Sequence, residues 1–532
     1  MLRFVAATVP FLATTLVMAQ PAPPAKVRSS TQPPLHDVLL AKMAAYSIPT
    51  NEREDHAKWY DAAVGHKGLA VAIRARHKHG TAGWPTVNAA EIGALEACQL
   101  TYEEPCALIA VDDRIEAETG RPPALRDMPR TRYAGAFDPQ QIPRARPDLL
   151  RRADVKSYRS ATGPKAAAFH IQGYLFVVTG AANQFEAEKQ ALAQCNNDPV
   201  RNGADGMCIL YAVGNRVVLP HRFQTAHSVT GSQIPLVAQS NIIEHLNFDT
   251  HAAPGVKLAN ISATLYLPPS AKPVPAMVII SSSGGVIDWI ERYYARELAR
   301  AGIAGLVVDS FAPRGVRNVD RDQRLVTSWD MENDAFAALA VLQKDPRIDP
   351  TRIGVMGVSK GGLVAHQSAI LTRRTWRGTG TLAFAAHVAI VPYCVEQHRN
   401  VATTGKSIFF MLAELDEPDP PKPCIEYAER IKAAGNPNIT VKVYNGAHHN
   451  WEDTRPLSYF AEAQNNAKCV SVIEDNGDRT VAAGGQRIKG AEFSSWVLQN
   501  CTSWGFHVGG GTDQLKREAT SDLVAFLKRN GF

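Results

Sequence analysis

A chain of 532 residues, 45% hydrophobic and 20% charged, has ordinary globular composition and is too long for a single ordinary domain. Its net charge of +6 is spread along the chain, which excludes the concentrated basic surface of a nucleic-acid binder. The densest basic stretch, Arg144, Arg146, Arg151 and Arg152, has no interleaved aromatics and reads as a solvated segment between repeats.

The chain opens with MLRFVAATVPFLATTLVMAQ, one basic residue followed by an apolar run too short to span a membrane. Small residues precede Ala19, so residues 1–19 read as a secretory signal peptide cleaved near that position. The expected location is therefore periplasmic or secreted, with no stable membrane insertion after signal removal. Gln20 to Leu35 is rich in Pro, Ala and Ser and reads as a flexible linker.

Residues 36–225 contain an internal repeat. The first copy runs HKGLAVAI (66–73), NAAEIGALEACQ (88–99) and PCALIAVDD (105–113); the second runs PKAAAFHI (164–171), EAEKQALAQCNN (186–197) and MCILYAVGN (207–215). Each copy reads as strand, helix ending at a cysteine, short loop, and a strand starting at a second cysteine. A bond between the two cysteines would staple a small α+β unit whose core is marginal alone. Neither copy carries a recurring catalytic constellation, so a structural or binding role is expected. Trp84, Tyr102 and Tyr174 are either a ligand surface or core aromatics.

The eight cysteines fit export to an oxidising compartment, and none has zinc-ligand spacing. Their positions favour pairing of sequence neighbours: Cys98 with Cys106, Cys195 with Cys208, Cys394 with Cys424, and Cys469 with Cys501.

From about residue 226 to 532, strand and helix signals alternate, which implies an α/β domain with a mostly parallel sheet covered on both faces. Residues 261–267 alternate like an early edge strand, and 276–280 form a continuous buried one. Further strands are expected at 305–309, 353–356, 387–391 and 408–412, and a closing helix over 513–529 stopped by Gly531. The stretch Gly357-Val358-Ser359-Lys360-Gly361 matches G-x-S-x-G between a buried strand and a helix. That context puts Ser359 on a tight turn, where a nucleophile is exposed and the helix N-terminus favours developing negative charge. Downstream, Asp416 follows a hydrophobic strand, with Glu417 and Asp419 as alternative acids. His448 or His449 then supplies the base, completing the order Ser, acid, His.

These landmarks carry a resemblance. VVDSFAPRGV (307–316), DAFAALAVLQ (334–343), DPTRIGVMGVSKGG (349–362), ELDEPDPPKPC (414–424) and YNGAHHNWE (444–452) resemble the dienelactone hydrolase family of α/β-hydrolases, especially its exported members. The resemblance covers just over half the chain. It implies an α/β-hydrolase fold, and it places the catalytic histidine on His449 and the acid on Asp416. Founding members use a cysteine where Ser359 stands, as in esterase-like relatives. The oxyanion loop often reads His-Gly-x-Gly-Gly in relatives but here is Ser281-Ser282-Ser283-Gly284-Gly285, so the donors expected are the amides of Lys360 and of Ser283 or Gly284.

Arg314 is a candidate grip for a substrate carboxylate, with an ion pair to Asp309 or Asp320 as the structural alternative. Trp289 and Trp451 are candidates to line the pocket mouth, and the Lys360 side chain is expected to face solvent. About 60 residues after His449, bracketing Cys469 and Cys501, form an insertion expected to act as a lid, a pocket wall or a braced surface flap. The combined expectation is a serine hydrolase acting on a small-molecule ester through an acyl-enzyme, with no cofactor, metal or nucleic-acid partner. The rivals are a peptidase of the prolyl-oligopeptidase type and a non-catalytic envelope-binding protein with a degenerate hydrolase domain. Acyl-CoA thioesterase action is disfavoured by export, and the oligomeric state is not legible.

Overall fold

The computed structural model describes residues 34–115, 124–199, 208–219 and 242–532. The expected signal peptide, nearly all of the expected linker and the boundary near residue 226 lie outside them. Leu35, expected as the last linker residue, instead opens a helix, Leu35–Ala45, and is buried.

The two repeats are built alike, and each is larger than its sequence signal. In the first, His66–Ala72 pairs antiparallel with both His77–Trp84 and Cys106–Val111. In the second, Lys165–His170 lies between Tyr174–Thr179 and Ile209–Val213 in the same arrangement. The hairpin strands at 77–84 and 174–179 were not expected. His77–Trp84 reads HKHGTAGW, too polar and too glycine-rich to signal a strand. The helices Val87–Tyr102 and Gln184–Asn196 carry Cys98 and Cys195, which bond to Cys106 and Cys208 as the spacing suggested. The likeness extends upstream, because buried Lys67 and Lys165 donate to the carbonyl oxygens of Tyr60 and Tyr158 at 2.6 and 2.8 Å. Arg144 corrects the expectation of a solvated basic segment. It is buried, its backbone N–H donates to Glu96, and its guanidinium donates to Thr81 and Ile171.

The second half is organised by an eight-stranded sheet. Its spatial order is Ile242–Asp249, Asn260–Leu267, Ala304–Asp309, Val274–Ile280, Ile348–Val358, Ala386–Ile390, Ser407–Ala413 and Ile439–Tyr444. The first two pairings are antiparallel and all later ones parallel. This is an α/β-hydrolase fold. Val274–Ile280 is buried at every position because helices cover both faces. Met277 and Ile279 join a core with Tyr294, Leu298 and Phe526, whereas Val278 and Ile280 join one with Phe336 and Leu339 on the other face. Asn260–Leu267, expected at the edge, is interior; the edge is the more exposed Ile242–Asp249. The closing helix spans Asp513–Arg529 as expected.

Two further disulfides, Cys394–Cys424 and Cys469–Cys501, brace the region beyond the strands' C-terminal ends. The insertion after His449 builds its own structure there. Ser458–Asn465 pairs with Ser503–Val508, and three short strands join Glu396–His398 in a separate sheet. Helix Gly490–Asn500 completes it.

Candidate active site

Ser359 stands at the C-terminal end of the strand Ile348–Val358, where the strand order reverses around Val274–Ile280. Open α/β sheets collect their ligands at that switch point. Its backbone is in the left-handed region, φ 55° and ψ −117°, a strained conformation for a residue with a Cβ. The turn needs small neighbours. A Cβ on Gly357 would lie 2.4 Å from the carbonyl carbon of Gly361, and one on Gly361 would lie 2.2 Å from the Ile280 oxygen. The helix Lys360–Gln367 starts at once, so its first amides point toward the serine.

Asp416 follows the strand Ser407–Ala413 and is buried. Both its oxygens lie 3.0 Å from His449 Nδ1, and no such bond reaches His448 among the described residues. With Nδ1 engaged by the carboxylate, Nε2 is the basic nitrogen of the ring. Burial pushes the His449 imidazole down, but the charge and hydrogen bond of Asp416, then Asp419, lift it to about 9. Asp419 is the third buried carboxyl here, 3.8 Å from His449 Nδ1, with its own amide bonded to Asp416 at 2.9 Å. Burial pushes its carboxyl well above the usual range, helped by the Asp416 charge. Ser359 Oγ faces Asp419 Oδ2 at 3.5 Å, and no Ser359–His449 hydrogen bond forms among the described residues. Glu417 instead bonds His507 at 2.7 Å, outside this cluster. Donor atoms of Asp416, Asp419 and His449 all lie within 4.8 Å of one another, close enough to share a cation as well as a proton.

The loop opposite the serine is held by a residue the sequence did not flag. Buried Glu291 accepts from Ser282 N at 2.9 Å and Ile287 N at 2.7 Å, and burial lifts its carboxyl to about 7. Gly285 N donates to the Ser282 carbonyl, so Ser283 and Gly284 carry the amides of this loop without an acceptor among the described residues. Lys360 corrects another expectation. Its side chain is buried, and Nζ donates to the Gln323 carbonyl, Gln323 Oε1 and the Val326 carbonyl at 3.0, 2.8 and 2.6 Å. Burial brings its ammonium down to about 7, against the nearby charges of Asp330, Asp320 and Asp322. Gln323 Nε2 donates to Ser283 Oγ at 2.9 Å, which links the Ser359 turn, through Lys360, to the opposite loop.

Ser359, Lys360, Ser283, Gly284, Trp289, Asp419 and His449 open onto one cavity of about 350 Å³. The insertion supplies much of its wall, including Phe460, Phe493, Val497 and Phe506. It also braces the histidine, since Gly509 N donates to the His449 carbonyl at 2.9 Å and the Phe506 ring lies edge-on to the imidazole at 5.5 Å. Two expected site residues lie elsewhere. Arg314 makes a paired salt bridge to buried Asp334 at 2.7 and 3.0 Å, neither with Asp309 nor Asp320, and does not line this cavity. Trp451 is fully buried against Tyr444 in the core. In both cases the residue type fitted a substrate role, but packing engaged it first.

The dienelactone hydrolase family model matches residues 261–472. No curated protein matches the chain. Among solved structures, a provisionally named dienelactone hydrolase from Klebsiella pneumoniae subsp. pneumoniae is 14% identical, over 54% of this chain and 100% of its own, with a TM-score of 0.35. Esterase 2 of Thermogutta terrifontis is 16% identical, over 41% and 88%, with a TM-score of 0.30. The dienelactone hydrolase-like promiscuous phosphotriesterase P91, from metagenomic libraries, is 13% identical, over 54% and 98%, with a TM-score of 0.33.

Proposed function

Since residues 261–472 form a dienelactone hydrolase family domain, we propose that this hydrolase is an exported carboxylic-ester hydrolase that works through an acyl-enzyme on Ser359. The observation that carries the proposal is the strained Ser359 turn sharing one cavity with a histidine whose Nδ1 is held by Asp416. The reaction requires Ser359 Oγ to turn about χ1 from Asp419 toward His449 Nε2. Such bonds tighten when substrate binds. Nε2 then takes the hydroxyl proton as Oγ attacks the ester carbon, and Asp416 stabilises the imidazolium.

The carbonyl oxygen gains negative charge as the tetrahedral intermediate forms. The amides of Lys360 and of Ser283 or Gly284 receive it, with Glu291 and Gln323 holding the opposing loop in place. His449 returns the proton to the leaving alkoxide, the alcohol departs, and water repeats the sequence to release the acid. Trp289 and the apolar residues of the insertion suit the non-reacting part of the ester. Four disulfides support an oxidising compartment, in keeping with export.

The test compares turnover of a short p-nitrophenyl ester and the matching peptide p-nitroanilide by the wild type and Ser359→Ala. Ester hydrolysis that disappears in the variant, with slower anilide cleavage throughout, is expected. Faster anilide cleavage would make the protein a peptidase, and ester turnover that survives in Ser359→Ala would remove the serine from the mechanism.

A further inference from the structure

A second cavity, of about 1110 Å³, lies where the stapled repeats meet the hydrolase domain. It adjoins the catalytic pocket through Gly284, Ile287 and Trp289, which line both. Its walls carry a surplus of positive charge. Six Lys and Arg residues line it against four acids, of which Glu52 is engaged by His77, Lys78 and Arg317, Asp309 by His77, and Asp288 by Arg296, leaving Asp148. Among the described residues no acid forms an ion pair with the guanidiniums of Arg144, Arg146 or Arg292, although the Asp288 and Glu103 charges lie near Arg292. Their guanidiniums donate to neutral groups: Arg144 to Thr81 Oγ1 at 2.8 Å, Arg146 to the Ala82 and Gly83 carbonyls at 3.0 and 2.9 Å, and Arg292 to the Thr101 carbonyl at 2.8 Å.

Arg144 and Arg292 are both more than nine-tenths buried, so their charge is poorly screened by water. One neighbouring group registers the Arg144 charge: burial, then the Arg144 and Lys78 charges, holds His79 well below the usual histidine range. Exposed rings, Trp59 and Tyr174, stand on the same walls.

We infer that this cavity binds a carboxylate-bearing sugar chain, its acid groups met by Arg144, Arg146 and Arg292 and its rings by Trp59 and Tyr174. The guanidinium fork matches a carboxylate in a way a lysine does not. The volume exceeds that of an ordinary small-molecule pocket, which suits several linked rings rather than one small anion. Flat aromatic faces accept the apolar C–H faces of sugar rings while the hydroxyls stay wet. The inference rests on this cavity alone and holds whether or not Ser359 performs acyl transfer.

The experiment is calorimetric titration of the full-length oxidised protein with tetragalacturonate, with neutral maltotetraose, and with inorganic phosphate. Saturable binding of tetragalacturonate, at least tenfold tighter than maltotetraose and weakened at least tenfold by Arg146→Gln, is expected. Trp59→Ala is expected to weaken tetragalacturonate binding several-fold. Should Arg146→Gln unfold the protein, the exposed Arg317→Gln, expected to lower affinity several-fold, takes its place. No binding of tetragalacturonate, equal binding of maltotetraose, or affinity unchanged by both arginine substitutions would overturn the inference. Binding of phosphate without tetragalacturonate would also overturn it, showing a site for small anions.

Discussion

At the residue scale, the character of the site is set by three buried titratable groups pressed together. In the proposed mechanism His449 must be neutral to accept the Ser359 proton, yet Asp416 and Asp419 favour its charged form and lift it to about 9. A base with a raised pKa is available only above it, so kcat/KM for a short aryl ester should climb with pH and level off above about 9. Replacing Asp416 by Asn removes the larger of the two lifting charges and the bond that fixes the ring tautomer. The ascending limb should then move to lower pH while the maximum falls by about 10³–10⁴-fold. Asp419→Asn should move the limb in the same direction with a smaller loss. A pH–rate profile of the wild type that is flat from pH 6 to 9 would contradict this assignment. Much of the cluster was legible in the sequence, because motif order and strand ends mark Ser359, Asp416 and His449. The closeness of Asp419 was legible only as a weaker alternative, since two acids three positions apart look equivalent until the loop after the strand is folded. Glu291 and Gln323 left no signal at all, because their work consists of holding amides and a lysine brought together by distant segments.

At the element scale, sequence reasoning succeeded where burial was continuous and failed where it was shared. Val274–Ile280 and Ser407–Ala413 are apolar runs that only a covered sheet accommodates. Ile242–Asp249 and His77–Trp84 escape notice because each is exposed or polar on much of its length and depends on a partner strand. The insertion after His449 shows its cysteines but not its role as pocket wall. That role makes its disulfide testable. Cys469–Cys501 closes a loop whose ends are 32 residues apart, worth about 4 kcal/mol of chain entropy. Cys469→Ser combined with Cys501→Ser should expose residues 455–512 to limited proteolysis before the sheet unfolds, and raise KM several-fold by loosening Phe460, Phe493 and Phe506. Unchanged protease resistance together with unchanged KM would show that the insertion holds its shape without the bond.

At the scale of the whole molecule, the repeats and the hydrolase domain are joined by buried charge. Arg296 bonds Glu103 at 2.7 Å, Arg292 reaches the Thr101 carbonyl, and His77 lies between Glu52 at 3.4 Å and Asp309 at 3.6 Å. Burial pushes His77 down, but the bonds and charges of Asp309 and Glu52 lift it to about 9. A folded-state value raised above the unfolded one gives stability that is complete below about pH 6.5 and lost as pH rises through 9. Between pH 6.5 and 9.5 the loss of stability in urea unfolding should therefore be smaller in His77→Gln than in the wild type by on the order of 2 kcal/mol, because His449, also raised to about 9, contributes to both proteins. Equal losses in both proteins would mean that the junction does not depend on this proton. Arg314 carries the same lesson, because its buried pair with Asp334 ties down the loop after Ala304–Asp309 and keeps it out of the wall of the Ser359 cavity.

The most direct test of the account is the site of covalent modification by a fluorophosphonate, which reacts with an activated serine and needs no knowledge of the natural ester. Peptide mapping of the labelled full-length protein by mass spectrometry should find one adduct, on Ser359, absent from Ser359→Ala and strongly reduced in His449→Ala. Failure of the active wild type to label, or an adduct on any other residue, would contradict the assignment of Ser359 as nucleophile.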